Sequence, residues 1–162
     1  MKKLLYIAIA FATVLSCKDP IDPPIPPEPE PPVTEDKKLA EKIVGEWHCT
    51  FSDMDADIYV SFADGSAFEL YQKVGEGSYR LYRGTWNIDE EASVLNGKYN
   101  DGTEWGSSYT IAMSEDEKSM TMSPKKASEP EEHVYRREDI PSEVKEKSIV
   151  VVKSMTSGEP VL

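Results

Sequence analysis

Cysteine is scarce: the 162 residues hold two, Cys17 and Cys49, which excludes a small fold stapled by a disulfide framework. Positive charge is short as well. Eighteen Lys and Arg face 30 Asp and Glu, for a formal net charge of -12. Without a basic field the chain has little means of neutralising a phosphate backbone, so nucleic acid is not expected as a partner. The one long apolar run, Leu4–Leu15, is twelve residues, against about 20 needed to span a bilayer as a helix. Catalytic groups are also wanting. No serine or cysteine can be matched with a histidine and an orienting acid, and Gly75-Glu76-Gly77-Ser78 lacks the lysine that follows a phosphate-cradling glycine loop. Neither an enzyme nor a cofactor is expected.

Metal ligands are sparse too. Asp53, Asp55 and Asp57 alternate along the chain, but an EF-hand loop needs glycine at its sixth position, where Ile58 stands, and glutamate at its twelfth, where Asp64 stands. These aspartates read as an acidic solvated turn. His48 and His133 fall in the first and last expected strands, at parities opposite to Trp47 and Val134 that aim them outward. With no third ligand nearby, no zinc site is expected.

What the chain does have is segmentation. Eight of its 12 prolines lie between Pro20 and Pro32, a stretch that forms neither helix nor central strand because proline lacks the amide donor and fixes φ. As polyproline II, at about 3.1 Å per residue, residues 19–36 would reach roughly 55 Å. Before them stand the positive Met1-Lys2-Lys3, the run Leu4–Leu15, and Val14-Leu15-Ser16-Cys17. This arrangement resembles the signal and lipobox of bacterial lipoproteins. The resemblance implies removal of residues 1–16, acylation of Cys17 (palmitate among its lipids) and attachment of the chain to a membrane. Lys18-Asp19 is similar to the surface-export signal of lipoproteins in Bacteroidota-type bacteria, which points to the outer membrane and its outer face. Four segments follow: a signal peptide at 1–16, a lipidated tether at 17–36, a domain at 37–153 and a tail at 154–162.

Within the domain, Leu39, Ile43 and Val44 share one face of a short helix over Glu35–Val44, stopped by Gly45. Beyond it the period falls to two. Trp47, Cys49 and Phe51 share one parity, as do Ile58, Val60 and Phe62, then Phe68 and Leu70, then Tyr82, Gly84, Trp86 and Ile88. Leu95–Tyr99, Trp105–Met113, Met120 with Met122, and Val134 with Arg136 complete about eight strands, separated by turns such as Asp64-Gly65 and Asp101-Gly102. The expected fold is all-β, a small antiparallel up-and-down barrel behind a short N-terminal helix, since closure removes exposed edges. Ile149–Val152 is left as either a ninth strand or a cover over the wall. Cys49, without a partner in the chain, is expected as a small buried hydrophobe.

Gly45-Glu46-Trp47 at the junction of helix and first strand resembles the Gly-x-Trp signature of the lipocalin and calycin superfamily. Gly102-Thr103-Glu104-Trp105-Gly106 and Ile140-Pro141-Ser142-Glu143-Val144 extend the likeness to bacterial lipocalin-like lipoproteins over about residues 39–144. A Thr-Asp-Tyr element of the kernel lipocalins is missing. The resemblance implies that Trp47 plugs the closed end of the barrel and that a basic residue of the last strand packs across it, with Arg136 the first choice and Arg137 the second. Two functional readings remain. In the first, Tyr82, Trp86, Tyr99, Trp105 and Tyr109 line a mouth that buries a small hydrophobic or amphipathic ligand. In the second, the same rings fill the barrel, which then serves as the scaffold of an envelope interaction module contacting protein or glycan.

Overall fold

The computed structural model describes residues 37–51, 55–128, 131–152 and 160–162. The signal segment, Cys17 with its tether, Asp53 and the first part of the tail lie outside the described residues.

Period-two alternation builds the wall. The strands are β1 (Gly45–Phe51), β2 (Ala56–Phe62), β3 (Ala67–Val74), β4 (Arg80–Asp89), β5 (Val94–Tyr99), β6 (Tyr109–Met113), β7 (Ser119–Pro124) and β8 (His133–Arg137). Each is antiparallel to its sequence neighbour, and β1 also pairs with β8, so eight strands close into a barrel. Trp47, Cys49, Phe51, Ile58, Val60, Phe62, Phe68, Leu70, Tyr82 and Trp86 all point into one core, as their parity requires. Exposed Arg83, Thr85 and Asn87 alternate with them on β4.

Three expectations of the local structure are corrected. The first helix, α1, is only Leu39–Ile43, because the carboxylate of Glu90 accepts the Leu39 and Ala40 amides at 2.9 Å each and fixes where it begins. The sixth strand starts at Tyr109 rather than Trp105. The Asp101-Gly102 turn folds residues 103–105 back on β5, with Tyr99 donating its amide to Thr103 and Trp105 donating its own to Gly97. In β8 it is His133 and Tyr135 that face inward, and Val134, 49% exposed, faces out. The parity assigned to that strand was one residue out, which turns every side chain to the other face.

Beyond the barrel, α2 (Ser142–Lys147) lies on the outer wall, where Ile140 and Val144 cover Tyr59, Tyr71 and Leu81. Ile149–Val150 is a short ninth strand, β9, parallel to β4 at Arg80 and Leu81. It occupies the stretch of β4 that β5 does not reach, since β5 pairs only from Gly84 onward. The seam between β5 and β6 is short, with two registered pairs, Val94 with Thr110 and Leu95 with Tyr109, as is the closing seam between β1 and β8, with Trp47 opposite Arg137 and His48 opposite Arg136.

Candidate functional site

The two ends of the barrel differ. One is sealed. Leu39, Ala40 and Val44 pack on the core from outside the strands, and the fully buried Trp47 donates its indole N–H to the carbonyl of Ile43 at 2.8 Å. The guanidinium over its ring, 4.2 Å from the centroid, belongs to Arg137 and not to Arg136. Arg137 shares the inward parity of His133 and Tyr135, whereas Arg136 is exposed on the outer face. Gly45 makes this arrangement possible. Its φ is +139°, and a Cβ there would stand 2.3 Å from an Arg137 Nη1.

The other end holds the expected mouth residues. Tyr82 and Tyr99 meet edge to face at 6.1 Å, and so do Trp105 and Tyr109. Phe68 joins the two pairs through Tyr99 at 5.8 Å and Trp105 at 5.1 Å. All are buried. Trp86 stands elsewhere: its ring partner is Phe62, and it donates its N–H to the Ala67 carbonyl. The structure therefore brings four of the five together and leaves Trp86 toward the sealed end.

Pro160, Val161 and Leu162, a segment outside the wall in sequence, sit among these rings. Leu162 is 1% exposed and belongs to the main core. The Tyr99 hydroxyl donates to the Leu162 main-chain oxygen at 2.7 Å, and the Tyr109 hydroxyl donates to the Val161 carbonyl at 2.9 Å. The Val161 amide in turn donates to Oε1 of Gln72, a buried polar residue of β3, at 2.9 Å. Sequence reading missed Gln72 and the tail. The one signal for Gln72 was an amide placed among apolar residues in a strand.

Burial sets the electrostatics of this end. It raises the Tyr109 phenol to about 12, with a smaller push from Glu131. It raises Tyr99 further, with Tyr109, Tyr82 and Asp101 adding to the effect. Tyr135, wholly buried, is pushed well above the ordinary range chiefly by desolvation, with the fields of Cys49, Tyr109 and Tyr99 also acting on it. These hydroxyls are therefore neutral donors at pH 7. The Tyr135 hydroxyl and the Trp105 indole N–H are buried without a hydrogen-bond partner among the described residues. Cys49 is a free, buried thiol raised to about 11 by desolvation, which fits a packing role.

The outer wall carries its own cluster. His48 stacks on Tyr59 at 4.2 Å, the residue opposite it in register, and its ring nitrogens meet Asp57 at 2.6 Å and Glu138 at 2.9 Å. Tyr79 donates to the same Asp57 carboxylate. His133, by contrast, is buried against Phe51 and reaches Glu131 at 2.7 Å. The two histidines thus face opposite sides of the wall. Beside Trp86 and Trp105 a surface cleft of about 490 Å³ is bordered by Asn87, Asn96, Lys98 and Glu104.

No family model, curated protein or solved structure matches the chain.

Proposed function

We propose that this chain is a lipocalin-like lipoprotein, anchored through Cys17 to the outer membrane and displayed at the cell surface. Its barrel takes a small hydrophobic or amphipathic ligand at the end occupied by Val161 and Leu162. The observation that carries the reading is the seating of those two residues. An apolar side chain lies inside the barrel while the Tyr99 and Tyr109 hydroxyls and the Gln72 amide bind its polar groups. That combination of apolar depth and a few fixed polar contacts is what an amphipathic ligand requires.

The seat is exchangeable on energetic grounds. Full burial of a leucine side chain contributes about 1.5–3 kcal/mol, and each neutral hydrogen bond about 0.5–1.5 kcal/mol. Ordering each residue costs about 1–2 kcal/mol in return. The net is a few kcal/mol at most, within reach of a ligand with ordinary affinity.

Native mass spectrometry of the protein extracted from its own cells tests the reading. Small molecules that stay bound through purification are expected, and a consistently empty barrel would count against a ligand. For the anchor, Cys17→Ala is expected to move the protein from the membrane to the soluble fraction and to abolish palmitate labelling.

A second reading, an interaction module contacting protein or glycan, is favoured by one observation. Ile149, Val150 and Val152, at 58%, 61% and 46% exposure, form an apolar edge beside β4. Aspartate at Ile149 and Val150 would abolish partner capture in that case and leave small-molecule binding untouched.

A further inference from the structure

The groups at the open end of the barrel do more than accept an amphipathic molecule: their order matches a peptide. Moving along the seated segment, an acceptor, Gln72 Oε1, faces the Val161 N–H. Then a donor, the Tyr109 hydroxyl, faces the Val161 carbonyl, and a second donor, the Tyr99 hydroxyl, faces the Leu162 oxygen. All three contacts are to main chain, so they are available to any sequence. Selectivity falls to the side-chain positions, where Leu162 is enclosed by the core and Pro160 is also buried.

A fatty acid would satisfy the two tyrosine donors through its carboxylate but would offer Gln72 Oε1 no N–H. A peptide satisfies all three. From this geometry we infer that the mouth is a peptide-binding site, selective for a short segment with a branched aliphatic residue at the Leu162 position, and that residues 160–162 are its internal competitor. The inference rests on the ligand-binding reading above and specifies the ligand class.

Two further features support a ligand site here. The seam between β5 and β6, strands that carry Tyr99 and Tyr109 at this end of the barrel, is held by only two residue pairs, so that part of the wall has few bonds to lose when it opens. The Tyr135 hydroxyl, fully buried in the same core as Tyr99 and Tyr109, is unpartnered among the described residues. A buried hydroxyl of that kind is costly unless something in the site can meet it.

The test uses the full chain carrying Leu162→Asp, which places a charge where the seat is apolar and so keeps the tail out. The probe is the peptide Gly-Glu-Pro-Val-Leu with both ends blocked, so that only amide groups and side chains are offered. Binding to the variant is expected to be about tenfold or more tighter than to the native chain, because the internal competitor has been removed. Gln72→Leu in the same background is expected to weaken the peptide by about tenfold and to leave dodecanoate binding unchanged. If dodecanoate binds at Tyr99 and Tyr109 but the peptide does not, the peptide assignment is overturned while the ligand reading survives. If neither binds, both fall. Should Leu162→Asp fail to fold, the native chain is titrated with peptide to millimolar concentration while the Leu162 methyl signals are followed. Their displacement supports the assignment; their constancy refutes it.

Discussion

Arg137 lies 4.2 Å over the ring of Trp47 and at the same time donates to the carbonyls of Lys42 at 2.7 Å and Val44 at 2.9 Å. Its Nε donates to Glu117 at 3.0 Å. One side chain thus closes the sealed end by tying β8 to the last carbonyls of α1 and to the turn before β7. A cation over an indole contributes about 0.5–2 kcal/mol, and orphaned helix carbonyls add to the loss when the donor is removed.

Arg137→Met is therefore expected to destabilise the barrel by about 2–4 kcal/mol in urea denaturation, a sum of those contributions. Arg136→Met, on the exposed face, should stay within about 0.5 kcal/mol of the native protein. Equal losses at the two positions would show that the side chains had been assigned to the wrong arginine. Trp47→Ala should cost about 3–5 kcal/mol, as for other buried aromatics.

The indole of Trp105 lies flat against Gly97. A Cβ at that glycine would fall 2.2 to 2.7 Å from three indole carbons, well inside contact distance. Gly97→Ala should destabilise by about 1–3 kcal/mol through overpacking. The double variant Gly97→Ala, Trp105→Leu should recover part of that loss, because the smaller side chain makes room for the methyl group. A double variant no more stable than Gly97→Ala alone would mean that the two residues do not meet.

Stability should fall at alkaline pH, and Cys49 gives the sign. Its thiol is raised from 9.0 to about 11 in the folded chain by burial. The contribution is thus full below pH 9 and is lost progressively as pH rises through 9 to 11, to a total on the order of 2–3 kcal/mol. Tyr109, raised from 10.0 to about 12, acts in the same direction over a higher window. Cys49→Ala should therefore show a flatter fall in urea midpoint between pH 9 and 11 than the native chain. Parallel pH profiles for the two proteins would place the thiol in contact with solvent.

Much of the wall was legible from alternation alone, because most inward residues of β1 to β4, such as Trp47, Ile58, Phe62, Phe68, Leu70, Tyr82 and Trp86, are large and apolar; the inward Gln72 is the polar exception. β8 was not. His133, Tyr135 and Arg137 face inward there, and neither the polar histidine nor the arginine announces an inward parity, whereas the apolar Val134 suggests the wrong one. Trp105 misled for a related reason: its hydrophobicity marks burial, yet the burial comes from a loop folding over Gly97, not from a strand. The tyrosines of the mouth could be named from sequence, but the residues that occupy it could not. Val161-Leu162 is too short to carry a period, and its role depends on a contact with Tyr99 across more than sixty residues.

The most direct test follows the Leu162 methyl groups by NMR in the full chain. Enclosed with Tyr99, Trp105 and Tyr109, they should resonate away from random-coil positions in the free protein, and they should move toward those positions as dodecanoate fills the mouth. Leu162 methyl signals at random-coil positions from the start, or dodecanoate binding that leaves them unmoved, would contradict a ligand seat at this end of the barrel.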